Sequence, residues 1–309
     1  YGVFFTGACH PHVVAAVERQ LRTLPLATRL LLEPSAARAA EALAEVCPAG
    51  PLVSHAPYGD VAALAALIGD DGSDAVVILE PVQGEAGVVI PPEGYLTQVA
   101  RLCRASGALF VLDEIQTGMG RLGAWWGADR AGVTPDILLV GKALSGGVIP
   151  VAAAVATHRA FALLDRDPFI HTSTFSAAPI AMAAAHAAIE VIRDEDLISR
   201  AARLGGELLT RLRASLAAHC GHLVHEVRGV GLLLGVQFRD AGTAGEFLLE
   251  LLHRHIIVNH SLNAHDVVRF TPPAVLTDAE AEELCEAVEA AARTLGGRFP
   301  HGTHPTRSS

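Results

Sequence analysis

Lysine is nearly absent from this chain. Of 23 basic residues among 309, Lys142 is the only lysine and all the others are arginine. A guanidinium keeps its proton and cannot act as an amine nucleophile, so arginine serves where a cation is enough and fails where a free amine is needed. A lysine surviving against that background is a candidate for covalent chemistry, in competition with chance survival at a neutral position. Basic runs are missing too, and the formal net charge is -10. Nucleic acids and anionic membranes are recognised by clustered Lys and Arg, so neither is expected as a partner, which leaves small-molecule chemistry.

Other absences narrow the class further. Cys9, Cys47, Cys103, Cys220 and Cys285 have no paired spacing. That suggests neither a disulfide framework nor a zinc site, and each cysteine reads as a small buried apolar residue. His219, His222 and His225 are not completed by a carboxylate or cysteine pattern, so no metal is expected. The densest apolar run, Ala177 to Ile192, is broken by His186 and Glu190 and is too short to span a bilayer. The first residues, YGVFFTGACHPH, lack a basic segment leading into an apolar core, so the expected compartment is the cytoplasm.

With 51% apolar residues the chain has enough material for a sizeable core, in one large domain or two linked ones. Its mean hydropathy of +0.37 owes much to alanine. Helical spacing runs through His12 to Leu21, Ser35 to Val46, Val61 to Ile68, Gly94 to Ala105, Ala178 to Arg193, Leu197 to Ala218, Ala244 to Leu252 and Asp278 to Leu295. Between these lie the short runs Ala75 to Pro81, Ala108 to Glu114, Ile137 to Lys142 and Val151 to Ala156, almost continuously apolar, as in strands buried on both faces. The alternation predicts an α/β layer. Ligands collect beyond the carboxyl ends of such strands, where this chain places Glu80, then Asp113 with Glu114, then Lys142. From about Ile198 the pattern changes to a long helix, a strand pair near Val227 to Phe238, a further helix, the runs Ile256 to Asn259 and Val267 to Phe270, and a last helix, predicting a smaller C-terminal α/β domain.

A strand-end amine beside a strand-end carboxylate suits pyridoxal phosphate (PLP) chemistry, which needs an amine to bond the cofactor and a carboxylate to keep its pyridine nitrogen protonated. On spacing alone, Asp113 could equally be a helix or turn cap. The motifs EPVQGEAG (Glu80 to Gly87), LDEIQTGMGRLG (Leu112 to Gly123), PDILLVGKALSGG (Pro135 to Gly147) and HTSTFSAAP (His171 to Pro179) decide between them. Together with RGVGLLLGVQF and VVRFTPP, in the same order and spacing, they resemble the class III aminotransferases, the ornithine, acetylornithine and putrescine aminotransferase group.

The resemblance implies an α/β protein of PLP fold type I (aspartate-aminotransferase-like), with a mostly parallel sheet in the large domain and a smaller C-terminal α/β domain. Pattern and motifs together divide the chain into an N-terminal segment (1–50), a PLP-binding large domain (51–198) and a small domain (199–297), and the polar stretch rich in His, Thr and Pro (298–309) is expected to be a disordered tail. It implies Lys142 as the lysine that carries the cofactor and shuttles the proton, and Asp113 as partner of the pyridine nitrogen. Ile115 would lie on one ring face, Gln116 at the phenolic oxygen, and Thr174 at the phosphate of the neighbouring subunit, which makes the protein a homodimer. Arg269 matches the arginine that clamps a substrate carboxylate. Glu85 matches the glutamate that pairs with that arginine when the donor has no nearby carboxylate, which points to ω-amino acids or diamines as donors and a 2-oxo acid as acceptor. Taken without the motifs, Thr174, Arg269 and Glu85 read as a cap, a surface strand residue and a solvated loop residue.

The chain departs from the family between Cys47 and Pro51. The segment that supplies the phosphate-binding helix terminus and the aromatic stacked on the pyridine has no counterpart there, so weakened PLP binding is expected. Two rival readings follow: a catalytically impaired or non-catalytic homologue acting as a dimer scaffold, and an aminomutase or epimerase of the same family.

Overall fold

The computed structural model describes residues 7, 10–15, 18, 53–167 and 176–300. Thr174, the expected helix from Ser35 to Val46, the departure after Cys47 and all but the first three residues of the expected tail lie outside these. Within them, two four-stranded sheets carry the chain. The first contains β1 (Val76–Leu79), β2 (Leu109–Asp113), β3 (Ile137–Val140) and β4 (Ala153–Ala156), in that order. β1, β2 and β3 run parallel, and β4 is antiparallel to β3. The second sheet is antiparallel throughout, in the order β5 (Val224–Val230), β6 (Leu233–Phe238), β8 (Ala264–Phe270), β7 (Asn259–Ser261).

Helix boundaries follow local chemistry. α1 (Val61–Ile68) starts where the Asp60 side chain accepts from the Ala63 amide, and it stops at Gly69. α2 (Tyr95–Ser106) ends at Gly107, whose φ of 86° suits a residue without Cβ. After the short α3 (Gly127–Ala131) comes α4 (His158–Arg166), capped by Thr157. The periodicity did not predict either one. α5 (Pro179–Asp194) has proline in its first turn, where a missing N–H costs nothing, and leads into α6 (Leu197–Cys220). The chain closes with α7 (Ala241–Leu252) and α8 (Asp278–Arg298), the latter opened by a Thr277–Glu280 capping box. Arg298 is thus the last helical residue of α8, not the first of a tail.

The expectation that all four strands of the first sheet are buried on both faces fails for β1 and β4. Val76, Ile78 and Val155 are 59%, 60% and 61% exposed. In β1 the register explains it. Val77 joins Phe110, Leu112, Tyr95, Leu96, Val99 and Cys103 in a core beneath α2, while Val76 and Ile78 point to the opposite face with Leu109 and Val111. Among the described residues, α2 covers one face of β1.

The largest core joins the two sheets. Met119, Val140 and Leu144 from the first layer share one cluster with Leu204, Leu208, Leu212 and Leu216 of α6, Val236 and Phe238 of β6, and Val288 and Leu295 of α8. The buried cysteines Cys220 and Cys285 belong to it, and Cys103 belongs to the core under α2. A buried guanidinium stitches the seam: Arg121 donates to the carbonyls of Leu232 (3.1 Å) and Pro272 (2.6 Å), and the Leu232 amide donates back to the Arg121 carbonyl. Among the described residues, no helix is long and apolar enough to cross a membrane.

Close approach of backbones sets a sharp test of this packing. A Cβ on Gly205 of α6 would lie 2.0 Å from the Gly231 carbonyl oxygen, whereas one on Gly206 meets nothing within 4 Å. Gly205→Ala should therefore destabilise the protein by about 3 kcal/mol, and Gly206→Ala should stabilise it by about 0.5 kcal/mol, through steric overlap and helix propensity respectively. Denaturant unfolding of the two variants checks both signs.

Candidate active site

Because β1, β2 and β3 are parallel, their carboxyl ends lie along one edge of the sheet. Glu80 follows β1, Asp113 ends β2, and Lys142 comes two residues after β3. Lys142 opens a tight 3-10 turn, Lys142–Ser145, with φ at +44°, a conformation disfavoured for a residue with a side chain. Strain of this kind persists only where surrounding contacts fix it. Beside it, Gly141 leaves room for Ile115, since a Cβ there would stand 3.3 Å from Ile115 Cγ2. The Asp113 carboxylate is steadied by the Ile115 amide at 3.0 Å.

Opposing influences act on the Lys142 amine. Burial pushes its pKa below the usual lysine value, and the Arg269 cation pushes the same way, while Glu85, Glu80 and Asp113 push up; the net shift is downward. Glu80 moves the other way. Burial raises its carboxyl, helped by Asp113 and Glu85 and opposed by the Gly84 amide and Lys142. These mutual influences put Glu80, Asp113, Glu85, Lys142 and Arg269 in one electrostatic cluster. Glu114 is not part of it. Its wholly buried carboxylate accepts from the Thr117 hydroxyl (2.6 Å) and the Gly127 and Ala128 amides (2.9 and 2.8 Å), so it holds the start of α3 instead. The expectation that both acids of the Asp113–Glu114 pair face the strand-end site is corrected for Glu114.

The turn between Gln83 and Val89 brings in the remaining groups. Glu80 accepts from the Gly84 amide at 3.0 Å, and a Cβ on Gly84 would come within 1.7 Å of Gln116 Oε1. Only glycine leaves space for that amide, whose Nε2 is buried without an acceptor. Next in the chain, Glu85 Oε1 lies 2.8 Å from Arg269 Nη2, and its Oε2 accepts from the Leu262 amide at 3.1 Å. Arg269 is 2% exposed on β8, so it is not a surface residue, and Glu85 is not a loop residue surrounded by solvent. The contact is an ion pair at one edge of the guanidinium, with the Nη donors poorly aligned on the carboxylate. Burial pushes the Glu85 carboxyl up, but Arg269, the Leu262 amide and Lys142 together outweigh it and hold the pKa below the usual carboxylate value.

A sequence profile described as "Aminotransferase class-III" matches residues 60–292. The chain belongs to the class III aminotransferases. Among solved structures, it is 29% identical to the ornithine aminotransferase of Toxoplasma gondii crystallised with oxidised glutathione, with a TM-score of 0.81 over 96% of this chain and 85% of that one. The ornithine δ-aminotransferase of Plasmodium falciparum is 29% identical, with a TM-score of 0.82 over 97% and 88%. The acetylornithine aminotransferase of Elizabethkingia anophelis is 29% identical, with a TM-score of 0.80 over 94% and 87%. Class III aminotransferases use PLP, and amines and oxo acids are the substrates that membership in this family implies.

Of the seven site residues predicted for a class III enzyme, Lys142, Asp113, Ile115, Gln116, Glu85 and Arg269 fall on the strand-end edge or on the turn and strand facing it, and Thr174 is outside the described residues. Glu80 and Gly84 are additions. The sequence signal for them lay in EPVQGEAG itself, where the strand-end acid and a glycine precede Glu85. The histidines near Cys220 have separate partners: His219 is 3.4 Å from Glu289, His222 contacts the Phe299 carbonyl, and His225 is exposed.

With one lysine in the chain, amine-selective acylation reads this site directly. The pH midpoint of Lys142 labelling should fall below the 10.5 of an unperturbed lysine. In Glu85→Gln it should fall further, because the variant removes a charge that raises the Lys142 pKa and leaves Arg269, which lowers it, unopposed. Mass spectrometry of the labelled peptide across a pH series tests both shifts. A midpoint at or above 10.5 would contradict the burial argument.

Proposed function

We propose that the chain is a PLP-dependent aminotransferase that moves an amino group from an ω-amino acid or diamine to a 2-oxo acid, acting as a cytoplasmic homodimer. In this reading, residues 51–198 form the PLP-binding large domain of fold type I, and residues 199–297 form the small domain. The observation that carries the donor class is the Glu85–Arg269 contact. An arginine ready for a carboxylate but already faced by a glutamate accepts two kinds of partner. With a donor lacking a nearby carboxylate, Glu85 stays and neutralises the cation; with a 2-oxo acid, the substrate carboxylate takes its place and offers the poorly aligned Nη donors a bidentate acceptor.

The ring end of PLP fits the residues present. Gln116 offers a buried amide N–H with no acceptor, suited to the phenolic oxygen, Asp113 a carboxylate suited to the pyridine N–H, and Ile115 an apolar side chain for one ring face. When bound, PLP supplies a reactive aldehyde and a protonated ring that draws electrons from the substrate carbon bearing the amino group. Lys142 would hold the cofactor through its amine, and as a free amine it would be the base that accepts the proton from that carbon and the acid that gives it back. A lowered pKa suits this task, since it keeps more of the amine unprotonated near neutral pH. Asp113 would keep the pyridine nitrogen protonated. Thr174 is assigned to the phosphate of the neighbouring subunit.

One sequence feature favours a second reading, a non-catalytic dimer scaffold: the departure after Cys47 takes away the segment matching the family's phosphate-binding helix terminus. A single experiment separates the two. Purified protein is titrated with PLP, its spectrum recorded, and the sample reduced with borohydride for peptide mapping. The enzymatic reading expects a visible absorbance band and a pyridoxyl adduct on Lys142, with Asp113→Asn lowering kcat by about a hundredfold or more through loss of the ring proton. No band and no adduct at saturating PLP would leave the scaffold.

A further inference from the structure

The turn that carries Glu85 is strained and strapped. Val88 is wholly buried with φ at +56°, a left-handed conformation that a β-branched residue rarely adopts, and Gly87 before it has φ at +108°. Arg228, on β5, reaches across from the second sheet. Its Nε donates to the carbonyls of Gly87 and Val88 at 3.0 Å each, and Nη2 donates to Gly87 at 2.6 Å. The other end of the fork is aimed in turn: Nη1 donates to Glu226 Oε2 (2.6 Å) and Gln237 Oε1 (2.7 Å), and the Gln237 amide donates to Asp266 at 2.8 Å. Inside the turn, the Gly87 and Val88 amides both point at the Gly84 carbonyl, at 3.2 Å each. Its tip meets the β7–β8 turn, where the Asn263 amide donates to the Glu85 carbonyl at 3.0 Å.

Resting on the function proposed above, we propose that Arg228 is a positioning residue for substrate selection: by clamping the Gly87 and Val88 carbonyls it holds Glu85 against Arg269, and so sets the balance between amine donors without a nearby carboxylate and 2-oxo acids. A planar fork can bond both carbonyls while remaining paired on its far side, which a lysine ammonium cannot do. Once the clamp is removed, the left-handed Val88 relaxes toward an unstrained conformation and the tip of the turn moves with it. Glu85 then neutralises Arg269 less well. Donor binding suffers, while the oxo acid, which displaces Glu85 in any case, is bound about as before.

The test compares Arg228→Met and Arg228→Lys with Glu85→Gln in the full-length protein. Two readouts are taken: the pH midpoint of Lys142 acylation without cofactor, and KM for an ω-amino donor and for a 2-oxo acid in the holoenzyme. Lys142 is faced by Glu85, Arg269, Glu80 and Asp113, which are the principal charges that shift it. Both Arg228 variants should move the Lys142 midpoint down, in the direction of Glu85→Gln, and raise the donor KM about tenfold with kcat and the oxo-acid KM within about threefold. Arg228→Lys keeps the charge, so its agreement with Arg228→Met identifies geometry as the cause and covers the case in which the methionine variant does not fold. A Lys142 midpoint at the wild-type value in the folded variants, or one that rises, overturns the proposal, as does an equal rise in both KM values. If wild-type protein shows no turnover, the proposed function fails, and the acylation midpoints alone decide the role of Arg228.

Discussion

A guanidinium 2% exposed has to be neutralised, and much of this molecule is arranged around the one at Arg269. Leaving such a cation unpaired costs several kcal/mol, and here the compensating carboxylate comes from the other layer, on the turn that follows β1. Each half of the pair therefore constrains a different sheet. The turn must project Glu85 to the β7–β8 hairpin, the hairpin must offer Leu262 and Asn263 amides to it, and the seam must hold the two sheets in register. Arg121 and Arg228 do the holding, one from each side, through backbone carbonyls. Arg228 is in addition paired with Glu226 on its far side, so its charge is partly met while its other edge remains on the carbonyls.

The same turn also shapes the other side of the site. Glu80 fixes its first amide, and Gly84 leaves the space into which Gln116 fits. One five-residue segment thus sets the position of an amide donor, an ion pair and, through charge, the amine of Lys142. This economy makes the segment intolerant of change, since a side chain added at Gly84 displaces Gln116 and alters the path to Glu85 at once.

Much of this was legible in the sequence because it depends on short-range order. Strand-end residues follow from apolar runs ending in polar ones, so Glu80, Asp113 and Lys142 were placed on one edge by pattern alone. The motifs then added Gln116, Glu85 and Arg269. Features set by tertiary approach were not legible. The pattern of β1 cannot say that its two faces differ, with Val77 under α2 and Val76 and Ile78 exposed, and the sequence DE cannot say that Glu114 turns away to the start of α3 while Asp113 stays. Helix α4 was missed although its residues alternate at helical spacing; its clearest start signal is the Thr157 cap. Arg121 and Arg228 looked like ordinary cations among many, and their roles come from carbonyls more than a hundred residues away in the chain.

The rarity of lysine takes on a physical meaning in that light. Arg121 is completely buried, and burial lowers its pKa, yet a guanidinium spreads its charge over three nitrogens and remains a cation that donates to carbonyls. Lys142, only partly buried, has its pKa lowered as well, and for an ammonium that shift raises the fraction present as a free amine. The chain uses arginine for the seam, for the strap on the turn and for the cation opposite Glu85, three tasks in which keeping the proton is useful. It uses lysine once, at a strained turn facing Glu80, Glu85 and Asp113, where burial outweighs those carboxylates and leaves more of the group as a free amine.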